Sequence, residues 1–347
     1  MCALTVAGAR CGEFVLAFRE FASRTDPLHA LLMRVRELKV DGGDAINPFW
    51  IDELRPLKEA LAENAGLDAP AIQRLLGYVS APLGPGESNA ALFNKLLRIG
   101  RREALPKQDI EHATGLKFLY RVGVLDEYYR IADSHGLRSS MTLTRHFWYA
   151  RELARVLDSM SKRRPCAFLE IGAGGGQFAF FNSLGGRVSH YVIVDLPAMM
   201  INSMTMLMER FPEAEFHFDE TPDFSASGLA FWFLDTRDIA RVPDQSVDVA
   251  ANFNSFMEMA EDVRNFYFDE IYRVARPGAL FYNVNKRQER MTTGDGRTYD
   301  NHPLLYPYRT TDRVIEWQPD PFQQSLKSGW LVAPMGSFAI SRIAEIA

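Results

Sequence analysis

The chain has 347 residues and is close to neutral, with 39 Lys and Arg residues against 44 Asp and Glu residues and a formal net charge of -5. This balance argues against a nucleic-acid partner, because binding to phosphates favours an excess of positive charge. A hydrophobic content of 47% with 24% charged residues is typical of a soluble globular chain and excludes intrinsic disorder, collagen and coiled coil.

The charge is unevenly divided along the chain. Residues 1–164 contain 24 basic and 20 acidic residues, whereas residues 165–347 contain 15 and 24. The change falls at a polar, helix-ending segment that finishes in Pro165. We therefore predict a helical N-terminal region, residues 1–160, and a sheet domain, residues 161–347.

The cysteines and the apolar segments indicate the setting of the protein. Cys2, Cys11 and Cys166 are isolated, which favours neither a zinc site nor a disulfide framework. No window reaches 18 uninterrupted apolar residues, and the start lacks the pattern of a signal peptide. We expect a reducing, cytoplasmic location and no membrane partner.

Helical periodicity dominates the first half of the chain. It predicts helices over residues 28–38, 51–63, 89–102, 107–122 and 142–160. A basic cluster, formed by Lys95, Arg98, Arg101, Arg102 and Lys107, could meet substrate phosphates, but a solvated helix face is the preferred interpretation. This region could also support a homo-oligomer.

The last of these helices leads directly into the sheet domain. It carries Arg145, His146 and Tyr149 within one and a half turns. Aromatic residues at this spacing usually belong to the core. The position of the helix nevertheless allows it to form one wall of an active site, with Arg145 and Tyr149 as substrate-binding candidates.

From residue 165 short apolar runs alternate with helical segments. The runs cover residues 166–171, 191–194, 231–234, 247–253 and 279–284, and the helices cover residues 178–184, 198–210 and 260–274. Because the runs lack polar alternation, they fit strands buried on both faces of a parallel, doubly wound α/β sheet. Ligands of such sheets bind beyond the carboxyl ends of the strands.

The first strand ends in a glycine-rich loop, with Gly172, Gly174 and Gly176 following Glu170. A dinucleotide fingerprint requires a sixth-position glycine where this chain has Gln177, which argues against an oxidoreductase. The Gly-Lys-Ser/Thr ending of a P-loop is also absent. A carboxylate at position 170 repels a diphosphate and attracts an ammonium group, so the loop favours a cationic ligand.

A second acid, Asp195, ends the second strand 19 residues after Gly176 and could accept both hydroxyls of a ribose. Each acid could instead cap the helix that follows it. Together, the acids and glycines resemble the class I S-adenosylmethionine-dependent methyltransferases over roughly residues 165–285. The resemblance implies a Rossmann-like sheet, mostly parallel with an antiparallel last strand, and S-adenosylmethionine as cofactor.

The resemblance also implies roles for individual residues. Glu170, Gly172 and Gly174 would hold the methionine part of the cofactor, and Asp195 would hold the ribose. The other contacts with the cofactor would come from Gly176 in the loop and from Asn252 at the methionyl region. At the adenine they would come from Leu196 and from Asp235 with Thr236. The last two strands are expected at residues 330–332 and 338–346.

A narrower resemblance is carried by later segments. These are residues 252–259, 266–273, 281–285 and 305–308, together with the Asp-Leu-Pro sequence at residues 195–197, and they look like a family of sugar O-methyltransferases. The resemblance implies a sugar or sugar-containing small molecule as the methyl acceptor. Asn254 and Asn285 would then help to bind and orient that acceptor.

Transfer to oxygen requires a base for the hydroxyl proton. His302 and Glu258 are candidates of equal rank, and His146 is third. Each has an ordinary alternative: a surface loop for His302, a helix N-terminal acid for Glu258 and a core position for His146. Neither Asp235 with Asp238 nor Asp300 with His302 has enough partners for a metal, so none is predicted.

Two further functions remain open on these residues. The same cofactor would serve a small-molecule N-methyltransferase or a phenolic O-methyltransferase. A subunit that binds the cofactor without catalysis, and stabilises a partner, has the same glycine loop and acids. Methyl transfer to sugars, amines or phenols distinguishes these possibilities.

Overall fold

The structure is a computed structural model that describes residues 26–37, 107–160, 166–225, 227–292, 298–328 and 339–347. Within these ranges no helix is both long and apolar enough to cross a membrane. The predicted helices over residues 51–63 and 89–102, and the side chains of the basic cluster, lie outside the described residues.

The five short apolar runs of the second half of the chain form five of the ten strands in the described residues. The strands are β1 (Cys166–Ile171), β2 (Val188–Asp195), β3 (Glu215–Phe218), β4 (Ala230–Asp235), β5 (Val247–Phe253), β6 (Ala275–Lys286), β7 (Gln288–Thr292), β8 (Thr298–Asn301), β9 (Arg313–Pro319) and β10 (Ala339–Glu345). Eight of them form one sheet in the order β3-β4-β2-β1-β5-β6-β10-β9, and β7 pairs with β8.

Helices occupy both halves of the described chain. They are α1 (Asp26–Glu37), α2 (Lys107–Arg121), α3 (Leu125–Ser134), α4 (Met141–Ser159), α5 (Gln177–Ser183), α6 (Pro197–Arg210), α7 (Glu261–Val274) and α8 (Pro321–Ser328). Ser140 begins α4 by accepting a hydrogen bond from the backbone N–H of Leu143. Short 3-10 turns at residues 184–186, 239–241, 256–258 and 303–305 lie between elements.

The sheet has a helical layer on each face. Side chains from α1 to α6 and α8 share one hydrophobic core with one face of the sheet. The other face packs against α7 and the segment around Tyr306. Because α2, α3 and α4 share a core with β1 and β2, these helices are packed directly on the sheet.

Strand direction confirms the predicted sheet class. The pairs from β3 to β6 are parallel, and β10 is antiparallel to both β6 and β9. The final strand predicted over residues 338–346 is therefore confirmed as β10. The strand predicted over residues 330–332 lies outside the described residues, and β9, not expected from the sequence, is the partner of β10.

Parallel pairing brings the carboxyl ends of four strands to one edge of the sheet. Ile171 pairs with Val194 on one side and Asn252 on the other. Asp195 pairs with Asp235, so two acids end neighbouring strands side by side. The loops that carry the predicted site residues therefore converge on this edge.

Candidate active site

The loop after β1 is tightly packed at its two ends and open at its centre. A Cβ on Gly172 would lie 2.2 Å from Ser255 Oγ, and a Cβ on Gly176 would lie 2.8 Å from Ser203 Cβ. A Cβ on Gly174 would meet nothing within 4 Å, although the φ of 55° still favours glycine there. The outer glycines therefore permit close packing, and the middle one faces open space.

Asp195 is held in a fixed orientation by the backbone. Its Oδ2 accepts a hydrogen bond from the N–H of Gly174 at 2.8 Å, and its Oδ1 accepts one from the N–H of Leu196 at 2.7 Å. No side chain caps α6, so Asp195 joins the glycine loop to β2 rather than capping a helix. Burial raises the pKa of Asp195 to about 6, against the effect of these two hydrogen bonds.

Glu170 lies beneath the loop, fully buried between β1 and β2. Its Oε2 accepts a hydrogen bond from the hydroxyl of Tyr191 at 2.6 Å, and α5 has no side-chain cap. Burial, together with the nearby charge of Asp195, raises the pKa of Glu170 to about 8, against the effect of the hydrogen bond from Tyr191. Two buried carboxylates that repel each other form an environment in which a cation is stabilised.

Tyr191 was not among the predicted site residues. The signal was present, because a phenol within an otherwise aliphatic strand requires a hydrogen-bond partner when it is buried. Its hydroxyl fixes the position of the Glu170 carboxyl group from the neighbouring strand.

Asp235 ends β4 as predicted, and both of its carboxylate oxygens have partners. The hydroxyl of Thr236 donates to Oδ1 at 2.9 Å, and Arg34 of α1 donates to Oδ2 at 3.2 Å. The competing acid, Asp238, instead pairs with Arg241 at 3.1 Å. Leu196 is partly exposed and lies between the end of β2, the strand next to β4, and the start of α6.

The predicted asparagines at the ends of β5 and β6 form a hydrogen-bonded ladder. The amide group of Asn285 donates to Asn252 at 2.8 Å, and Asn252 donates to the carbonyl of Ile171 at 2.8 Å. Asn285 also accepts from the N–H of Met257 at 3.0 Å. Both side chains are fully buried, so the ladder supports the loop after β5 from the interior of the protein. The predicted contacts of Asn252 and Asn285 with ligands remain predictions.

Asn254 differs from the other two asparagines. It has a φ of 61°, a left-handed conformation that is uncommon for a residue other than glycine. Its Nδ2 and Oδ1 are both buried and have no hydrogen-bond partner among the described residues. An unsatisfied amide in a strained turn at the end of a central strand is typical of a ligand-binding position.

Helix α4 packs against the end of β5 and forms a wall there. Tyr149 stacks on Phe253 with ring centroids 4.9 Å apart, and the ring of His146 meets Phe253 edge-on at 5.8 Å. Tyr149 is fully buried, and its hydroxyl donates to Oδ2 of Asp320 at 3.2 Å. Because Tyr149 is buried and its hydroxyl is bound to Asp320, its predicted contact with substrate would have to be indirect.

His146 has a defined tautomer in its neutral form. Its Nδ1 lies 2.9 Å from the carbonyl oxygen of Thr142, which can only accept, so Nδ1 carries the proton. Its Nε2 has no hydrogen-bond partner within the described part of the chain and is left as an acceptor. Burial and the charge of Arg145 lower the pKa of His146 well below its usual value, which keeps the ring neutral.

The two candidates that ranked above His146 are placed differently. Nδ1 of His302 accepts from the N–H of Leu304 at 3.2 Å, so neutral His302 carries its proton on Nε2 and offers no second acceptor. Glu258 lies in the short 3-10 turn after β5. Geometry thus favours His146 over His302 as a proton acceptor, although the base itself remains a prediction.

No group of three or more His, Cys, Asp and Glu side chains within the described ranges is arranged to hold a metal ion. Cys166 is buried at the start of β1.

Comparison with known sequences identifies the central part of the chain. Residues 169–283 match the family model described as "Methyltransferase domain". No curated protein matches the chain.

Several solved structures are similar to part of the chain at low identity. They include 1,6-didemethyltoxoflavin-N1-methyltransferase of Burkholderia thailandensis, with 15% identity over 71% of this chain and 92% of that chain and a TM-score of 0.38. Magnesium protoporphyrin IX methyltransferase of Synechocystis PCC 6803 has 10% identity over 71% of this chain and 100% of that chain, with a TM-score of 0.39. A SAM dependent methyltransferase of Aquifex aeolicus has 16% identity over 56% of this chain and 89% of that chain, with a TM-score of 0.33.

The family match covers the glycine loop and the acids that end β1, β2 and β4. Together with the strand order, it defines the sheet domain as a class I methyltransferase domain. Its cofactor is S-adenosylmethionine.

Proposed function

We propose that this protein is an S-adenosylmethionine-dependent O-methyltransferase that acts on a hydroxyl group of a sugar or a sugar-containing small molecule. The observation that carries the proposal is the lone acceptor nitrogen of His146, which lies in the wall over the end of β5. A neutral imidazole nitrogen that accepts no hydrogen bond from the described residues suits the removal of a hydroxyl proton.

The residues at the sheet edge fit the cofactor. Glu170 and Asp195 are acids whose pKa values are raised by burial, so a positive charge beside them would stabilise their ionised forms. The sulfonium and ammonium groups of S-adenosylmethionine supply that charge, and the open side of Gly174 gives a ligand room to approach the backbone. When bound, the cofactor supplies an activated methyl group.

The remaining residues align and dehydrate the acceptor. Asp195 would hold the ribose, and Asp235 with Thr236 would meet the adenine, which fixes the reactive end near β5. Asn254 offers an amide donor and acceptor to the acceptor molecule. The aromatic wall of Tyr149 and Phe253 excludes water from the same edge.

His146 would accept on Nε2 the proton that the hydroxyl loses when its oxygen receives the methyl group, and S-adenosylhomocysteine would be the leaving group. The hydrogen bond from Nδ1 to Thr142 then holds the imidazolium in place. The sugar as substrate class is supported by the sequence resemblance of residues 252–259, 281–285 and 305–308. Its polar character is matched by the unsatisfied amide of Asn254.

The proposal is tested by methyl transfer from isotopically labelled S-adenosylmethionine to matched sugars, amines and phenols. We expect one methyl group on a sugar oxygen, located by mass spectrometry, and no label on amines or phenols. Label on amines or phenols alone would show that the methyl acceptor is an amine or a phenol and not a sugar. Cofactor binding without transfer to any acceptor would support a non-catalytic subunit.

A further inference from the structure

Arg145, in the wall of the site, is a cation without an ion-pair or hydrogen-bond partner among the described residues. It lies one turn before Tyr149 on α4, and its side chain is partly buried. Its Nε is buried without a hydrogen-bond partner, and the described residues place no carboxylate within ion-pair distance of its guanidinium group. A buried donor without an acceptor is costly, so an arginine in this state is poised to receive one.

Asp320 is an acid whose pKa Arg145 lowers electrostatically, but the two do not form an ion pair, and Oδ1 of Asp320 is buried without a partner among the described residues. Oδ2 accepts from the hydroxyl of Tyr149 at 3.2 Å and from the N–H of Gln323 at 2.7 Å, which caps α8. Both Arg145 and Lys286 act on Asp320 electrostatically.

Arg145 is next to His146 in the sequence, and its positive charge acts on the proposed base. The two are consecutive on α4, and the charge of Arg145 is felt at the His146 ring. A group bound by Arg145 would therefore lie within one small molecule's length of the Nε2 that receives the proton. Asn254, which follows Phe253 in the sequence, has donors and an acceptor for a neutral hydroxyl but no charge.

We propose that the methyl acceptor carries an oxyanion, a carboxylate or a phosphate, which Arg145 binds next to the hydroxyl that is methylated. The planar guanidinium group suits either, because its parallel N–H groups match two oxygens of one anion. Asp320 acts as a positioning residue, since it holds Tyr149 and α8 in place behind Arg145. This inference rests on the proposed function and narrows its substrate class.

The experiment compares charged and neutral acceptors of the same ring. Glucuronate, glucose 6-phosphate and glucose are titrated by calorimetry into the S-adenosylhomocysteine complex, and each is assayed for methyl transfer. The variants are Arg145→Gln, which removes the charge, and Arg145→Lys, which keeps the charge and loses the planar fork. Arg151→Gln is the matched control, because Arg151 lies on the same helix and pairs with Glu127 away from the wall.

We expect one of the charged sugars to bind about tenfold or more tightly than glucose, since hydrogen bonds to ionised groups are the strong ones. Arg145→Gln should abolish that preference through KM while the affinity for S-adenosylhomocysteine is unchanged, and Arg145→Lys should restore part of it. A preference for glucuronate identifies a carboxylate, and a preference for glucose 6-phosphate identifies a phosphate.

Equal binding of all three sugars, or the same preference in Arg145→Gln as in the wild type, would overturn the inference and indicate that ordered water satisfies Arg145. Failure of the proposed function has a different signature. In that case charged and neutral sugars alike receive no methyl group. The difference in affinity between charged sugars and glucose, measured by calorimetry, still shows whether Arg145 binds an anion.

Discussion

Arg34 donates a hydrogen bond to Asp235 across 201 residues of sequence, with Nη2 3.2 Å from Oδ2. The arginine is 43% exposed, whereas the carboxylate is 8% exposed. Leu28, Leu31 and other apolar residues bury the opposite side of α1 in the core shared with α6. The N-terminal helix therefore reaches the acid that the methyltransferase resemblance assigns to the adenine, and it borders that end of the cofactor site.

Replacing Arg34 with Gln should weaken cofactor binding modestly. A half-exposed ion pair contributes less than about 1 kcal/mol, so we expect the Kd for S-adenosylmethionine to rise by about two- to fivefold. The free energy of unfolding should fall by less than about 1 kcal/mol. Calorimetry on Arg34→Gln, Asp235→Asn and the double variant measures the coupling. Additive effects of the two substitutions would show that the pair does not act on the cofactor as a unit.

Asp195→Asn should weaken cofactor binding much more. The asparagine keeps one acceptor oxygen but turns an amide group toward either the N–H of Gly174 or that of Leu196. Losing a charged acceptor for ribose costs about 1.5–3 kcal/mol, which corresponds to about a 10- to 150-fold higher Kd. Asp158→Asn, an exposed acid paired with Arg187, is the control for loss of charge. An unchanged Kd in Asp195→Asn would remove Asp195 from the cofactor site.

The Glu170 carboxyl group predicts a pH dependence with a defined sign. Its pKa rises from 4.5 to about 8 on folding. The folded protein therefore holds a proton that the unfolded chain has lost, and this stabilisation is complete below pH 4.5 and is lost as the pH rises through about 8. We expect the unfolding free energy of the ligand-free protein to fall by up to about 1 kcal/mol per pH unit between pH 7 and 8.

Glu170→Gln should flatten that part of the stability profile, because glutamine still accepts the hydrogen bond from Tyr191 but does not titrate. The affinity for the cationic cofactor should rise across the same range in the wild type only, by at most about tenfold per pH unit. Urea unfolding and calorimetry at pH 7 and pH 8 measure the two effects. A wild-type profile of unfolding free energy against pH that is as flat as that of Glu170→Gln would show that folded Glu170 does not hold a proton in this pH range.

The strand ends could be predicted from sequence because each depends on local pattern. Buried runs ending in Glu170, Asp195 and Asp235 mark parallel strands and the edge where they stop. The edge strand β9 was not predicted, because its exposed residues alternate weakly and include Arg313 and Glu316. The four-residue strand β3 is too short to give a period.

Contacts between distant segments could not be predicted, since they depend on register and on side-chain direction. Asn252 meets Asn285 only because β5 and β6 pair in one register. The ranking of His146 and His302 depends on which ring nitrogen each commits to the backbone, and sequence carries no information on this. Arg34 reaches Asp235 only through the docking of α1.

The glycine loop predicts two substitutions with different results. Gly172→Ala forces a Cβ to within 2.4 Å of the Cβ of Ser255 in addition to a φ of 72°, so it should reduce stability by more than about 2 kcal/mol. Gly174→Ala meets no atom within 4 Å and should cost only the conformational penalty of about 1 kcal/mol. Its effect should instead appear as weaker cofactor binding.

Urea unfolding and calorimetry separate these two results. Ser255→Gly should recover part of the stability lost in Gly172→Ala, because it removes the side chain that the new Cβ meets. Gly174→Ala with normal cofactor affinity would show that the open side of the loop does not face the ligand.

His146→Asn is the sharpest test of the base. The asparagine amide group can keep the hydrogen bond to the carbonyl of Thr142, but it has no atom at the position of Nε2. We expect kcat to fall by about 10²- to 10³-fold, as for loss of a general base, with an unchanged Kd for S-adenosylmethionine. His302→Gln and Glu258→Gln are the matched comparisons, and His302→Gln should change kcat by less than about fivefold.

Because burial and Arg145 lower the pKa of His146, the wild-type rate should stay level down to a pH below the usual histidine value of 6.5. A large loss in Glu258→Gln or His302→Gln, with His146→Asn near the wild type, would assign the proton to the loop side of the site instead of α4.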